Sequence, residues 1–265
     1  MLDGDMSQIV ATTERVTGMT PEQILALPAM PPGNPSYPMG PYRFVNREYL
    51  IITYESEPSA IREAVPEPLA PDGSNQVLYE WIRMPDSSGF GDYTESGIVI
   101  PSLWGDEPVN FTAQMYLNDE PPITAGREIW GFPKRRGEPY LGVETDTLTG
   151  TLDYAGQRVA MGTMGYKYHD LAADADNPKA AVAKTQVNLK LIPDVCGHPQ
   201  IAQLVAYNMT NIQLKGHWGG PARLHLVPHV HARVADFPVH RTLGGQHLVG
   251  DMTLPYGRVL HDYLA

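Results

Sequence analysis

Proline and glycine interrupt this chain from end to end, 25 of each among 265 residues. A proline fixes φ and removes a backbone donor, and a glycine marks a turn or a close approach, so uninterrupted segments are short. Such punctuation suits many short strands better than a few long helices. The length is ample for a buried core, in one large domain or two small ones.

The first 40 residues read as an N-terminal arm with a short helix, and residues 41–265 as a single domain. Thr20 is a suitable N-cap, Pro21 takes the first helical position and Gln23 closes a capping box. That helix runs through Ile24 and Leu25 and stops before Pro28. The following PAMPPGNPSYPMGPY (28–42) is too proline-rich for a helix or a central strand. An arm of this kind is expected to lie across a neighbouring surface, such as that of another subunit.

Tyr49 to Tyr54 is β-branched and aromatic, which predicts a buried strand. Pro58 to Val65 has helical spacing, with Pro66 as its stop. Strands are also predicted for Val77 to Met84, Glu95 to Ile100, Phe111 to Leu117 and Tyr140 to Val143. Residues 150–154 and 158–164 flank Ala155-Gly156-Gln157, a hairpin signal. Further strands are expected at 185–193, 205–215, 222–227 and 246–254, and a short helix at Asp176 to Ala183. The expected class is therefore mainly β with a few short helices (α+β), in a barrel or a two-layer closed sheet.

A net charge of −11 disfavours nucleic acid and anionic membranes as partners. It also requires positive charge to be concentrated locally if the substrate is an anion. Cys196 is the single cysteine, so neither an intramolecular disulfide nor a cysteine-based zinc site is expected. No apolar run approaches the roughly 18 residues that span a bilayer. Residues 1–19 lack the basic start and apolar run of a signal peptide, so the expected location is cytoplasmic.

Of six lysines, one stands in Gly131-Phe132-Pro133-Lys134-Arg135-Arg136-Gly137, a cationic triplet in an apolar, glycine-bounded segment. The plain reading is a solvated basic turn. The sharper reading is a lysine whose depressed pKa lets its amine attack a carbonyl. Bringing lysine from about 10.4 to near 7 takes roughly 5 kcal/mol. A unit charge about 6 Å away, at an effective dielectric of about 20, supplies roughly 2.8 kcal/mol. One cationic neighbour is not enough, and desolvation must supply the rest. In an extended segment Lys134 and Arg135 also point to opposite faces. Burial by Phe132, Trp130 and Met115 is therefore expected to outweigh Arg135. A different enzyme class would use His225, His229 and His231 as metal ligands on one strand face. Ala232 to His240 offers no glutamate to complete a cupin-like set.

Several long blocks follow one another in order. They are Gly40-Pro41-Tyr42-Arg43-Phe44 with Asn46-Arg47-Glu48-Tyr49; Val65-Pro66-Glu67-Pro68-Leu69; Tyr93-Thr94-Glu95-Ser96-Gly97; and Met115-Tyr116-Leu117. Gly126-Arg127-Glu128 leads to Pro133-Lys134, followed by Asp146-Thr147-Leu148, Gly150-Thr151-Leu152-Asp153-Tyr154, Met164-Gly165-Tyr166-Lys167 and His261-Asp262-Tyr263-Leu264. In these blocks, from about Leu27 to Leu264, the chain resembles the acetoacetate decarboxylase superfamily. The resemblance implies a closed, two-layer antiparallel β-barrel or cone, a homo-oligomer, and a small oxo acid as substrate. It implies imine chemistry on Lys134 with no metal or organic cofactor, because the iminium is itself the electron sink. A lysine activated by its surroundings is the known precedent there.

Carried over one residue at a time, Glu95 would position the substrate or shuttle protons, and Glu80 matches a second acidic position. Arg47 matches a buried arginine that holds these carboxylates or that of the substrate. Met115 matches an apolar pocket wall, with Phe44 nearby. Arg135 stands where the characterised decarboxylases carry a second lysine, which keeps the charge but replaces a compact ammonium with a planar fork. His217 and His247, in glycine-rich surroundings, are expected in surface loops. Decarboxylation of a β-keto acid such as acetoacetate is the first expectation. Aldolase, dehydratase or hydratase chemistry on a 2-oxo acid through the same imine is the alternative, and a non-catalytic small-ligand binding module is the second.

Overall fold

The computed structural model describes residues 18–171 and 180–265. Residues up to Pro35 and residues 36–265 are separate compact units. In the first, helix α1 (Pro21–Leu25) starts from a formed capping box. Gln23 N–H donates to the Thr20 hydroxyl, and the Gln23 side chain accepts from Thr20 N–H.

The second unit is mainly β. Its first five strands are β1 (Tyr42–Glu55), β2 (Ala70–Pro71), β3 (Gln76–Ser87), β4 (Gly91–Trp104) and β5 (Glu107–Leu117). Next come β6 (Lys134–Arg136), β7 (Glu138–Glu144), β8 (Thr147–Tyr154), β9 (Gln157–Gly165) and β10 (His169–Asp170). The remainder are β11 (Gln186–Pro193), β12 (Pro199–Tyr207), β13 (Thr210–Gly220), β14 (Ala222–Leu226), β15 (Arg241–Leu254) and β16 (Arg258–Asp262). Helices α2 (Pro58–Ala64), α3 (Glu120–Ala125) and α4 (Ala180–Ala183) are short. The rest of the helix expected at 176–183 lies outside the described residues.

A 12-stranded sheet follows the path β10-β13-β15-β1-β3-β4-β5-β11-β12-β16, with β2 on β4 and β6 on β5. A four-stranded sheet runs β14-β9-β8-β7. This corrects the expected closed antiparallel barrel in two respects. Among the described residues the hydrogen-bonded path has two ends, β10 and β16, so no ladder closes it. β5 also pairs in parallel with both β6 and β11. The chain returns from β5 to β6 through α3 and a π-helical turn (Gly126–Trp130), the kind of crossover that a parallel neighbour requires.

Strict alternation divides the residues of the large sheet. Leu50, Ile52 and Tyr54 on β1, with Tyr79 and Trp81 on β3, point into a core shared with the small sheet. Trp81 is fully buried, and an added Cβ at Gly150 on β8 or Gly162 on β9 would overlap its indole. These glycines let the two layers approach around the largest core side chain.

The histidines differ from expectation. His217 and His247 lie on β13 and β15 and are buried, not placed in surface loops. His247 Nε2 is 2.8 Å from Glu48 Oε1. His229 and His231 sit in the segment after β14, not on a strand, and His229 Nδ1 accepts from the backbone N–H groups of His231 and Ala232. The strand expected at 205–215 is two strands, β12 and β13, broken at Asn208-Met209. Among the described residues no helix is long and apolar enough to cross a membrane.

If Trp81 seats against Gly150 as described, Gly150→Ala forces the layers apart and costs about 1–3 kcal/mol of stability. The measurement is the urea unfolding midpoint, and an unchanged midpoint would refute the contact.

Candidate active site

One row of residues crosses the large sheet in register. Lys134 on β6 stands opposite Met115, Met115 opposite Gly97, and Gly97 opposite Glu80. Glu80 in turn faces Ile51, and Ile51 faces Gln246 on β15. Residues in register share a face, so the row points away from the Trp81 core. The neighbouring row on the same face carries Glu95, Ile82 and Tyr49. Both rows line a cavity of about 150 Å³. An apolar cavity of that size holds a benzene-sized molecule.

Two bulges bring further side chains onto this face. Between Phe44 and Arg47, β1 carries one residue more than β15, and Asn46 takes φ 55°. The extra residue shifts the alternation, so Phe44 and Arg47 both face the cavity. Asn46 is held by its own N–H donating to Asp251 (2.8 Å) and by Lys215 Nζ donating to its side-chain oxygen (2.6 Å). On β5 the register skips Ala113, which puts Thr112 and Asn110 on the same side as Met115.

Lys134 is placed by the turn before it. Gly131 closes the π-helical turn at φ 74°, and a Cβ there would lie 2.5 Å from Lys190 Cα, so both conformation and space demand glycine. Gly126 leaves the path of the lysine side chain open, since a Cβ there would sit 2.6 Å from Lys134 Cδ. Lys134 is 5% exposed. Its Nζ lies 2.6 Å from Glu95 Oε1, 3.1 Å from the Pro122 carbonyl oxygen and 4.8 Å from the centre of the Phe132 ring. Glu95 is equally buried, and among the described residues its Oε1 has no partner besides that ammonium.

The site couples four charges. Burial drives Lys134 below the ordinary lysine range; Glu95 opposes the shift through its charge and hydrogen bond, and Arg47 adds to it. Burial pushes the Glu80 carboxyl up to about 7, with the Arg47 charge opposing and the Glu95 charge adding. Arg47 stacks over Phe44 and Tyr49, 4.8 and 5.0 Å from their ring centres, and its buried Nε has no hydrogen-bond partner. Burial also raises Tyr49, to about 12, and Tyr93 and Tyr207 well above the phenol range, so all three remain neutral hydroxyls.

Lys134, Glu95, Arg47, Glu80, Met115 and Phe44 thus line one cavity. Two further residues of the expected set, Arg135 and Trp130, are not part of the cavity lining. Arg135 is exposed on the opposite face, donating to the His231 carbonyl and the Tyr154 hydroxyl, because β6 is extended and alternates. Trp130 is one step removed: its indole N–H donates to the Pro255 carbonyl and its ring stacks on Tyr256. It anchors the turn, while Phe132 and Met115 line the cavity. Tyr49, Tyr93, Tyr207 and Gln246 also line it and were missed. Period two from Arg47 and from Glu95 would have found Tyr49 and Tyr93. Nothing local marks Tyr207 or Gln246.

A raised carboxyl gives a signed pH effect. Folded Glu80 holds its proton up to about pH 7, whereas its reference value is 4.5. The contribution is therefore complete below the unfolded value and lost as pH rises through the folded one. Glu80→Gln should gain stability relative to the parent between pH 4 and pH 8. Urea midpoints at the two pH values test this, and a difference that stays constant or reverses would overturn it.

Over residues 26–264 the chain matches the acetoacetate decarboxylase (ADC) family. It is 55% identical over 237 residues to the acetoacetate decarboxylase of Acidiphilium cryptum strain JF-5, covering 89% of this chain and 96% of that one. An acetoacetate decarboxylase crystal structure from Legionella pneumophila superposes with a TM-score of 0.85 at 44% identity, over 91% of this chain and 94% of the other. A second acetoacetate decarboxylase structure gives 0.89 at 40% identity, over 93% and 100%. With the match spanning both sheets and every cavity wall, the chain belongs to the acetoacetate decarboxylase family.

Proposed function

We propose that the protein is a carboxy-lyase that converts acetoacetate to acetone and carbon dioxide through an imine on Lys134. The observation that carries this reading is the desolvated Lys134–Glu95 pair, 2.6 Å apart, in a small cavity. An ammonium cannot attack a carbonyl, and burial is the largest influence favouring the free amine.

The neutral amine of Lys134 adds to the ketone carbon, and Glu95 takes the proton released at nitrogen. That proton and a second one drawn from solvent convert the carbinolamine oxygen to water, whose departure forms the protonated imine. The electron pair of the carbon–carboxylate bond then moves toward the iminium nitrogen as carbon dioxide departs, leaving an enamine. A proton delivered to the enamine carbon, from Glu80 or by way of Glu95, regenerates the iminium, and water then adds to it, releasing acetone, the free lysine and the proton taken from solvent earlier. Glu80 suits a proton donor near neutrality, because its pKa is pushed up to about 7. Arg47 offsets the two carboxylates that burial would otherwise penalise.

Borohydride added during turnover should leave an isopropyl group on Lys134, located by peptide mass analysis. Lys134→Ala should abolish both that adduct and carbon dioxide release above background. Glu95→Gln should keep the fold while slowing decarboxylation roughly 10²–10⁴-fold, the range for a lost proton-transfer group. Wild-type protein that evolves no carbon dioxide from acetoacetate would sink the proposal.

A further inference from the structure

We propose that Gln246, oriented by His217, is the group that receives the substrate carboxylate across the cavity from Lys134. This rests on the decarboxylase reading above and assigns a specificity-determining contact within the same site.

Gln246 ends the row that Lys134 begins. At about 4.8 Å per strand, the two ends of that row are roughly 24 Å apart along the sheet. Both nevertheless line one cavity of about 150 Å³, so the sheet curls around it. Gln246 is thus a polar side chain in the same cavity that a substrate joined to Lys134 would occupy.

The amide is held in one orientation. Gln246 Oε1 lies 3.0 Å from His217 Nε2. An amide oxygen only accepts, so Nε2 of His217 carries the proton. Its Nδ1 is buried without a partner, which suits the lone-pair nitrogen of a neutral ring and would isolate an N–H in a charged one. With its oxygen bound to His217, Gln246 keeps its amide N–H groups to donate, and no hydrogen bond from them is formed among the described residues.

A neutral donor suits this step. The carboxylate charge flows into the iminium during decarboxylation, so a tight ionic partner would stabilise the ground state more than the transition state. A neutral amide is a weaker anion partner than a guanidinium, and it can direct the carbon–carboxylate bond perpendicular to the iminium plane without retaining the charge. Arg47 lies against two aromatic faces and in the field of Glu95, so its charge is partly offset even though its buried Nε has no partner among the described residues.

Acetone provides the control, because it forms the same imine without a carboxylate. Gln246→Leu should lower kcat/KM for acetoacetate by about tenfold, the scale of one lost hydrogen bond, while borohydride trapping of acetone on Lys134 proceeds at the wild-type rate. Gln246→Glu should fall further by repelling the anion. His217→Ala should shift the same ratio more weakly, and His217→Gln, which can still donate to the amide oxygen, should recover it. Undiminished acetoacetate turnover in Gln246→Leu would overturn the assignment, as would a parallel loss of acetone trapping, which would make the residue structural. A wild-type protein trapped by neither compound would instead overturn the imine reading, and this inference with it.

Discussion

The structure depends on keeping a lysine and a glutamate together out of water. Burying two charges is unfavourable unless their attraction and the surrounding hydrogen bonds offset the desolvation. The Lys134–Glu95 pair meets that condition only in part, since among the described residues Glu95 Oε1 has the ammonium and nothing else. An incompletely compensated pair is a poor stabilising device but a responsive one. The ammonium can give up its proton without forfeiting a full network. The surrounding fold keeps this arrangement dry and in place.

Sheet geometry accomplishes that with simple means. Alternation along β1 and β3 sends Leu50, Ile52, Tyr79 and Trp81 to one face and Ile51, Glu80 and Ile82 to the other, so core and cavity are two sides of the same strands. A bulge at Asn46 brings Arg47 onto the face that already holds Phe44, and a second at Ala113 does the same for Thr112. The lysine itself arrives on a three-residue strand whose entry needs two glycines, one for its backbone conformation and one for the room its side chain occupies. A side chain at either glycine would move the amine relative to Glu95.

Features set by local periodicity were legible in the sequence. Alternation in an extended segment placed Lys134 and Arg135 on opposite faces, and β6 is extended. Helices α1 and α2 followed from capping and proline signals and most strands from β-branched runs bounded by proline and glycine, whereas α3 was not marked. What remained hidden was set by contacts distant in the chain. The glycines around His217 and His247 resemble loop punctuation, yet they lie within β13 and β15, and a Cβ at Gly245 would press on Met164 and Ala222. Close packing between layers, rather than turning, explains Gly245. Gln246 could not be recognised without the register, because its link to Lys134 runs through four other strands. Trp130 reaches Lys134 only through Phe132, for a similar reason. Its neighbours in sequence point to the lysine, but its ring is claimed by Tyr256 from the far end of the chain.

The proposed reaction also resolves how a chain of net charge −11 can handle an anion. In the reacting form that this mechanism requires, with Lys134 as the free amine and Glu80 protonated, the cavity would hold the charges of Arg47 and Glu95, which cancel. Such a site admits an oxo acid without gripping its carboxylate. Formation of the iminium then adds one positive charge beside the bond that must break, at the moment when electrons need to move toward it. A permanently cationic pocket would bind the substrate more tightly and gain little in rate, because the same attraction would act before and during bond cleavage. Burial creates the difference by withholding the charge until the covalent step supplies it.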